Sequence, residues 1–243
     1  PGVFEIDKNK LTDAEIEILF NPPGGDVMKG RGVSNMKLEI DKEGNFNMYG
    51  EYSIDNGDYT FRLQNLINKK FKIERGSSIK WSGSPYDADI KLNAIYSLRT
   101  SLYDIIPDST NDIYRKRIPV ECILSLSDKL LKPNISFKIN LPNSDESIKT
   151  TLNNTISTEE ELNKQIFSLL LINKFSNTKQ TGGVGEALGS GVSATSSELL
   201  SSKLSNWLSQ ITKEIDIGVK YVTGNRYNPD ELELALSKNF FFL

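Results

Sequence analysis

Histidine is absent from the 243 residues of this chain, and cysteine occurs once, as Cys122. Histidine is the commonest general base and the commonest metal ligand in proteins, so its absence removes two frequent kinds of active site. A single cysteine excludes an internal disulfide bond. No stretch reaches the roughly 18 consecutive apolar residues that a membrane-spanning helix needs. The chain therefore offers neither a histidine-based site nor a disulfide-bonded scaffold.

An excess of positive charge is also missing, because 29 Lys and Arg stand against 32 Asp and Glu, for a net charge of -3. Proteins that bind nucleic acid need a basic stripe to meet the phosphates, so nucleic acid is excluded as the main partner. One local cluster, Arg115-Lys116-Arg117, lies in a predicted loop. It indicates either a contact with anionic lipid head groups or a solvated loop.

What the chain does have is apolar residues at every second position, in one segment after another. Polar residues such as Lys91 and Asn93 separate the apolar residues of the segment 90–98, and the pattern recurs in 46–54, 59–63, 120–126 and 135–141. Strict alternation predicts strands with one apolar and one polar face. No helix-length insert separates them, so we expect a largely antiparallel sheet. Cys122 falls on an apolar face, where we expect it to be buried.

Two short segments have patterns that indicate particular local structures. Asn56-Gly57 stands between two alternating runs and predicts a β-hairpin turn. The segment from Thr12 to Phe20 has a plausible helix cap, but Ile16, Ile18 and Phe20 alternate. The alternation favours a strand there.

The pattern changes after Pro142. Thr158 with Glu161 forms a capping box, and apolar residues at helical spacing follow it. Residues 177–195 are rich in Gly, Ser and Thr and predict a flexible linker. A second amphipathic helix is predicted over about 197–211, then strands over 216–222 and 231–242. We therefore divide the chain into a β segment (1–142), a helical segment (143–176), the linker (177–195) and a helix with C-terminal strands (196–243).

Asp87 and Asp89 are the one carboxylate pair that stands out. Two positions apart on a strand, they would share a face and could serve acid–base chemistry or hold a cation. The alternative is a polar turn that enters the strand at Ile90.

Three stretches of sequence carry a family resemblance. They are Gly57-Asp58-Tyr59-Thr60-Phe61-Arg62-Leu63-Gln64-Asn65, Asn68-Lys69-Lys70-Phe71 and Ile79-Lys80-Trp81-Ser82-Gly83-Ser84-Pro85-Tyr86-Asp87-Ala88. Three later segments fit the same domain: Thr158-Glu159-Glu160-Glu161 with the helix that follows it, Leu204-Ser205-Asn206-Trp207-Leu208-Ser209-Gln210-Ile211, and Asp216-Ile217-Gly218-Val219. Together they resemble the C-terminal domain of TamB, the translocation and assembly module family, in its Bacteroidota form. The resemblance spans roughly residues 28–240.

The resemblance implies a mainly β fold, in which a curved, largely antiparallel sheet forms a half-pipe (a β-taco) with an apolar interior, plus two amphipathic helices near the C-terminus. It also implies a periplasmic protein, anchored in the inner membrane by a segment N-terminal to this fragment and reaching the outer membrane. The implied partners are phospholipid and an outer-membrane barrel of the BamA superfamily, TamA or TamL. Neither enzymatic activity nor a cofactor or metal is implied. Pro1 and the final Leu243 look like cuts in a longer chain.

The apolar strand faces are the candidate lipid groove. Acyl chains gain roughly 0.8 kcal/mol for each CH₂ group that leaves water, and many similar apolar side chains suffice to bind them. The rival interpretation is a structural or adaptor module with no lipid cargo. A polysaccharide-binding protein is disfavoured, because the aromatic residues lie mostly on the apolar faces. The predicted groove residues are Phe46, Met48, Phe61, Leu63, Phe71, Ile73, Leu92, Tyr96, Leu124, Phe137 and Ile139.

The C-terminal strand is the candidate partner-binding element. Leucines alternate with Glu231 and Glu233, and the run ends in aromatic residues. An unpaired strand edge is a template for another chain, so this strand is expected either to pair with the barrel or to close the fragment's own sheet. Its candidate contact residues are Leu232, Leu234, Leu236, Phe240 and Phe242.

Overall fold

A computed structural model describes residues 4–20, 25–40, 42, 44–63, 67–106, 112–176, 216–222 and 231–237. For 4–14, 63, 216–222 and 231–237 only the backbone is described. The strands are β1 (Phe4–Leu19), β2 (Val27–Ile40), β3 (Phe46–Leu63), β4 (Ile67–Ile73), β5 (Ser77–Gly83), β6 (Ala88–Thr100), β7 (Ile118–Lys129), β8 (Lys132–Asn140), β9 (Asp216–Val222) and β10 (Glu231–Ser237). The helices are α1 (Glu146–Thr155) and α2 (Glu159–Ile172), with a short 3₁₀ turn at Asp112–Arg115.

Within the described residues the first eight strands form one sheet in the order β1-β2-β3-β4-β6-β7-β8, with β5 between β3 and β6. Each strand therefore lies beside the strand that precedes or follows it in the chain. The pairs of β1 with β2 and of β2 with β3 are antiparallel, and β3 pairs in the same way with β4 and then β5. The predicted fold class is confirmed: a mainly antiparallel β-sheet with two helices towards the C-terminus.

Strand β3 changes the face on which it carries buried residues. The buried side chains lie at even-numbered positions in its first part, at Met48, Tyr52 and Ile54, and at odd-numbered positions after the bulge, at Tyr59 and Phe61. The register against β2 leaves Asp55 as an extra residue, with Ile54 and Asn56 each opposite a residue of β2. Such a β-bulge shifts the alternation by one position. The bulge explains the change from even to odd positions in the sequence pattern.

The predicted hairpin turn at Asn56-Gly57 is wrong, because β3 runs straight through both residues. Gly57 lies opposite Gly30 of β2. A Cβ atom on Gly57 would lie 2.4 Å from the backbone oxygen of Lys29, which no side chain tolerates. The glycine therefore permits the close approach of two strands rather than a turn.

Other local predictions are confirmed. Thr12 to Phe20 belongs mostly to β1, as the alternation indicated. Thr158 caps α2, and its hydroxyl accepts a hydrogen bond from the Glu161 N–H at 3.1 Å. Cys122 is buried in β7, and burial raises the pKa of its thiol to about 12.

The sequence pattern did not predict α1 as a separate helix within the helical segment 143–176. The predicted helix over 197–211 lies outside the described residues. Helix α1 has Asp145 at its N-cap without a side-chain hydrogen bond, and it buries only Leu152. A short helix whose N-cap makes no side-chain hydrogen bond and which buries a single residue is difficult to predict from sequence.

The chain divides into two compact units, and β6, β7 and β8 each contribute residues to both. The first unit comprises Pro1–Ala94, Ser125–Ser136 and Gln210–Leu243, and the second Ile95–Leu124 and Phe137–Ser209. The division of the chain into four segments made from sequence stays a prediction. Fully buried side chains of the first unit include Ile18, Met28, Ile54, Phe71 and Ile79. Those of the second include Leu102, Ile105, Leu124, Leu169 and Leu170.

Candidate functional site

The predicted groove residues of the first unit lie in β3, β4 and β6. Phe71 is 0% exposed and Leu92 is 1% exposed, while the intervening Lys91 is exposed. Phe61 and Phe71 meet edge to face with ring centroids 6.2 Å apart, a geometry that adds about 1 kcal/mol to simple burial. The strands of this unit thus carry one apolar face, as the alternation predicts. Met48, Phe61 and Ile73 are buried too, Phe46 is half-buried, and the side chain of Leu63 lies outside the described residues.

The predicted groove residues of the second unit behave in two ways. Leu124 and Ile139 are buried, with Leu124 at 0% exposure. Tyr96 and Phe137 are half-buried. The Tyr96 hydroxyl donates a hydrogen bond to Asn173 Oδ1 at 3.1 Å. An apolar ligand would reach Tyr96 and Phe137 with less rearrangement than Leu124.

Asp26, just before β2, carries a buried carboxyl group that was not predicted from the sequence. The Tyr59 hydroxyl donates to Asp26 Oδ2 at 2.6 Å, and the Arg62 backbone N–H donates to Oδ1 at 2.6 Å. The Arg62 guanidinium also reaches the Gly25 carbonyl at 3.2 Å. Burial raises the pKa of Asp26 to about 7, against the hydrogen bonds from Tyr59 and Arg62, which lower it. A carboxyl group in Gly24-Gly25-Asp26 looks like an ordinary turn residue in the sequence.

The pKa of Asp26 predicts a dependence of stability on pH. Between its ordinary pKa of 3.8 and about 7, the folded chain holds a proton that the unfolded chain releases. The free energy of unfolding should therefore fall as pH rises through this window, by about 4 kcal/mol at most. Asp26→Asn should remove this slope, because the amide cannot ionise but still accepts from Arg62. Urea unfolding at a series of pH values measures it.

Tyr59→Phe is the matched control for this prediction. It removes one hydrogen bond that lowers the pKa of Asp26, so the loss of stability should move to higher pH. An unchanged slope in Asp26→Asn would mean that another group titrates in this window.

Asp87 and Asp89 share one cation. Lys129 Nζ lies 2.7 Å from Asp87 Oδ1 and 2.9 Å from Asp89 Oδ1, and the Leu130 N–H donates to the Ala88 carbonyl at 2.7 Å. Hydrogen bonds to Asp87 and then Asp89 raise the pKa of Lys129 above its usual range. The carboxylates thus join the end of β7 to the start of β6, which supports the interpretation as a polar turn.

A small open pocket of about 430 Å³ lies in the second unit. Its lining is partly apolar and partly charged, with Tyr96, Leu98, Arg99, Arg117 and Asn173 around it. Arg117 belongs to the basic cluster Arg115-Lys116-Arg117. Arg99 lies 18 positions away in the chain, and its proximity to Arg117 was not predicted from the sequence. The neighbouring Arg115 stacks on the Tyr103 ring at 4.6 Å from its centroid.

The candidate partner strand β10 pairs with β9 in a separate antiparallel sheet. Leu232, Leu234 and Leu236 lie opposite Tyr221, Val219 and Ile217. The described strands include no second neighbour hydrogen-bonded to β10, although its Cα atoms come within 8 Å of those of β1. Phe240 and Phe242 lie outside the described residues.

The described part of the chain holds no group of three or more His, Cys, Asp or Glu residues placed to bind a metal ion. It also holds no helix that is both long enough and apolar enough to cross a membrane.

Comparison with known proteins decides the family. The family sequence model of the TamB C-terminal domain matches residues 3–241. The chain belongs to the TamB family. No curated protein and no solved structure matches it. Membership assigns this TamB domain to the cell envelope and its assembly, in a family that works with outer-membrane partners and is not known as an enzyme family.

Proposed function

We propose that this TamB domain carries phospholipid between the inner and outer membranes on the apolar faces of its strands, and that it assists outer-membrane protein assembly with a barrel of the BamA superfamily. The observation that carries the proposal is the one-sided character of the strands in a TamB family member. Apolar Phe61 and Leu92 are buried, whereas Lys91 beside Leu92 is exposed. Acyl chains bind to such a face because each CH₂ removed from water contributes roughly 0.8 kcal/mol.

The half-buried residues are the positions at which we expect lipid to enter. Phe46 in the first unit, and Tyr96 and Phe137 in the second, keep part of their surface exposed. A lipid chain covers this surface without first displacing a packed side chain. Fully buried residues such as Phe71 come into contact with lipid only after the surrounding side chains separate.

The second candidate function is an adaptor module without lipid cargo. The observation that favours it is the depth of burial at the predicted groove, since Phe71 and Leu124 are both 0% exposed. Filled cores are close-packed and hold few voids larger than a water molecule. A groove that is already filled by protein binds no acyl chain.

Photocrosslinking separates the two candidates. A photoreactive amino acid at Phe46, Tyr96 or Phe137 should capture phospholipid in cells, and the same group at the exposed Lys91 or Lys138 should not. Organic extraction of the purified chain followed by lipid mass spectrometry identifies the adducts and any co-purified lipid. Equal labelling of both sets, with no lipid in the extract, would leave the adaptor module as the better account.

The proposed partner surface is the outer edge of β10. An antiparallel strand directs alternate N–H groups to opposite edges, so half of the N–H groups of β10 point away from β9. A strand of the barrel would pair with these groups in competition with β1, whose Cα atoms come within 8 Å of those of β10. The alternative is that β10 only closes the sheet of this chain and binds no partner.

A further inference from the structure

Two arginines of the second unit hold each other in place. Arg99 lies in β6, and Arg117 immediately precedes β7, the neighbouring strand of the sheet. Arg99 Nη2 donates to the Arg117 backbone carbonyl at 2.8 Å, and Arg117 Nη2 donates to the Arg99 carbonyl at 2.9 Å. The reciprocal hydrogen bonds fix two like charges close together at the surface.

Neither charge is compensated by a carboxylate of the described residues. Among the described residues no carboxylate lies within ion-pair distance of Arg99 or Arg117, whereas Arg31 pairs with Glu15 and Arg75 with Asp55. A guanidinium has five N–H donors, so each of these two retains donors after its bond to a carbonyl. Two neighbouring cations with unused donors attract an anion, which relieves their repulsion.

The pocket around the arginines has the character of a head-group site. Its volume of about 430 Å³ falls within the roughly 300–1,000 Å³ of small-molecule pockets. Leu98 and the Tyr96 ring supply apolar surface, and Asn173 supplies an amide. Asn173 also ends α2, where the helix dipole places roughly half a negative charge. Two full guanidinium charges outweigh that partial charge.

We propose that Arg99 and Arg117 together bind the phosphate group of an anionic phospholipid, or phosphate itself, in this pocket. Guanidinium groups match phosphate oxygens with paired, charge-assisted hydrogen bonds, which lysines cannot reproduce. Assigning the phosphate to a lipid head group rests on the proposed function. The site then selects lipids by head group, while the apolar strand faces bind their acyl chains without regard to it.

The test compares variants that remove the same charge. Arg99→Gln with Arg117→Gln removes the proposed site, and Lys91→Gln with Lys138→Gln removes two exposed charges elsewhere. Binding is measured by flotation with vesicles of phosphatidylcholine, with or without phosphatidylglycerol. We expect the arginine variant to bind phosphatidylglycerol vesicles at least about tenfold more weakly, since charge-assisted hydrogen bonds are lost, and the lysine variant to match the parent. Equal losses in both variants would overturn the proposal.

A second variant and a second ligand complete the test. Arg99→Lys with Arg117→Lys keeps the charge but loses the paired geometry, so its affinity should fall between parent and glutamine variant. Inorganic phosphate without vesicles should shift the NMR signals of the Arg99 and Arg117 side chains. If inorganic phosphate displaces the chain from the vesicles at equal phosphate concentration, the site binds free phosphate. If the chain stays on the vesicles, the site recognises the lipid head group. No shift with phosphate and no effect of either arginine variant would overturn the site.

Failure of this proposal can be distinguished from failure of the proposed function. If lipid still co-purifies with the arginine variant in the same amount and with the same head groups, the pocket is not a lipid site but lipid carriage stands. If no lipid co-purifies with the parent chain, lipid carriage fails, while the phosphate titration still decides the anion site.

Discussion

Leu92→Arg will lower the free energy of unfolding by about 4 kcal/mol, because it places an unpaired charge at a position that is 1% exposed. Phe46→Arg, at a half-buried position on the predicted groove, should cost less than about 1 kcal/mol, since a long side chain can direct its charge into water. Phe46→Arg should nevertheless lower the amount of phospholipid that co-purifies with the chain if the apolar faces carry lipid. Urea unfolding and lipid mass spectrometry on the same preparations measure both effects.

The controls separate packing from charge. Leu92→Met keeps the volume of the side chain, so its stability should stay within about 1.5 kcal/mol of the parent. Asp87→Asn leaves one carboxylate on Lys129 and should leave lipid recovery unchanged. If Leu92→Arg proved as stable as the parent, the strand face would be open to water around Leu92 and would form an open groove rather than a packed core.

Proline substitutions in β10 will abolish co-purification of the barrel if its outer edge is the docking site. Leu234 and Leu236 have one parity and Glu233 and Ala235 the other, so one pair of N–H groups faces β9 and the other pair faces outward. Two prolines on the outward parity remove the donors that the barrel would use. Two prolines on the inward parity break the ladder with β9 and expose an unfolded strand. Pull-down of the barrel by each double variant measures the effect.

Only one outcome supports docking at the outer edge: the outward pair loses the barrel while β9 and β10 stay paired, as amide hydrogen exchange reports. Full recovery of the barrel by both double variants would leave β10 as a strand that merely completes the domain.

The strands were predictable because their alternation reports burial directly. In β6 the buried Ala88, Ile90, Leu92 and Ala94 repeat every second residue, and no competing helical period exists there. The cap of α2 was equally clear, since Thr158 and Glu161 stand at the spacing that the hydrogen bond requires. Features that depend only on residues close together in the chain, such as strand alternation and helix caps, can be predicted from the sequence.

The bulge at Asp55 shows what the sequence could not convey. A shift of the apolar positions from even to odd fits either a turn or an extra residue, and Asn56-Gly57 pointed to the turn. The deciding fact is that Gly57 faces Gly30 across two strands, a pairing that no local pattern contains. The register of β2 against β3, and not the local preference of Asn56-Gly57, determines that the chain forms a bulge rather than a turn.

The polar sites were missed for a related reason. Asp26 becomes unusual only because Tyr59 and Arg62, far along the chain, surround it. Arg99 and Arg117 meet because β6 and β7 are neighbours, and neither residue is distinctive alone. Of the candidate groove, the sequence predicted which side chains share a face, but not how deeply each is covered.

The strand order has an evolutionary consequence. Because each described strand of the main sheet lies beside the strand before or after it in the chain, most of its pairing is local in sequence. Such quasi-one-dimensional architectures gain or lose units without redesign of the rest. Each duplicated hairpin would lengthen the sheet by roughly 10 Å, at just under 5 Å per strand. A lineage could therefore lengthen or shorten such a sheet by copying or losing hairpins, with the side-chain chemistry of its faces left intact.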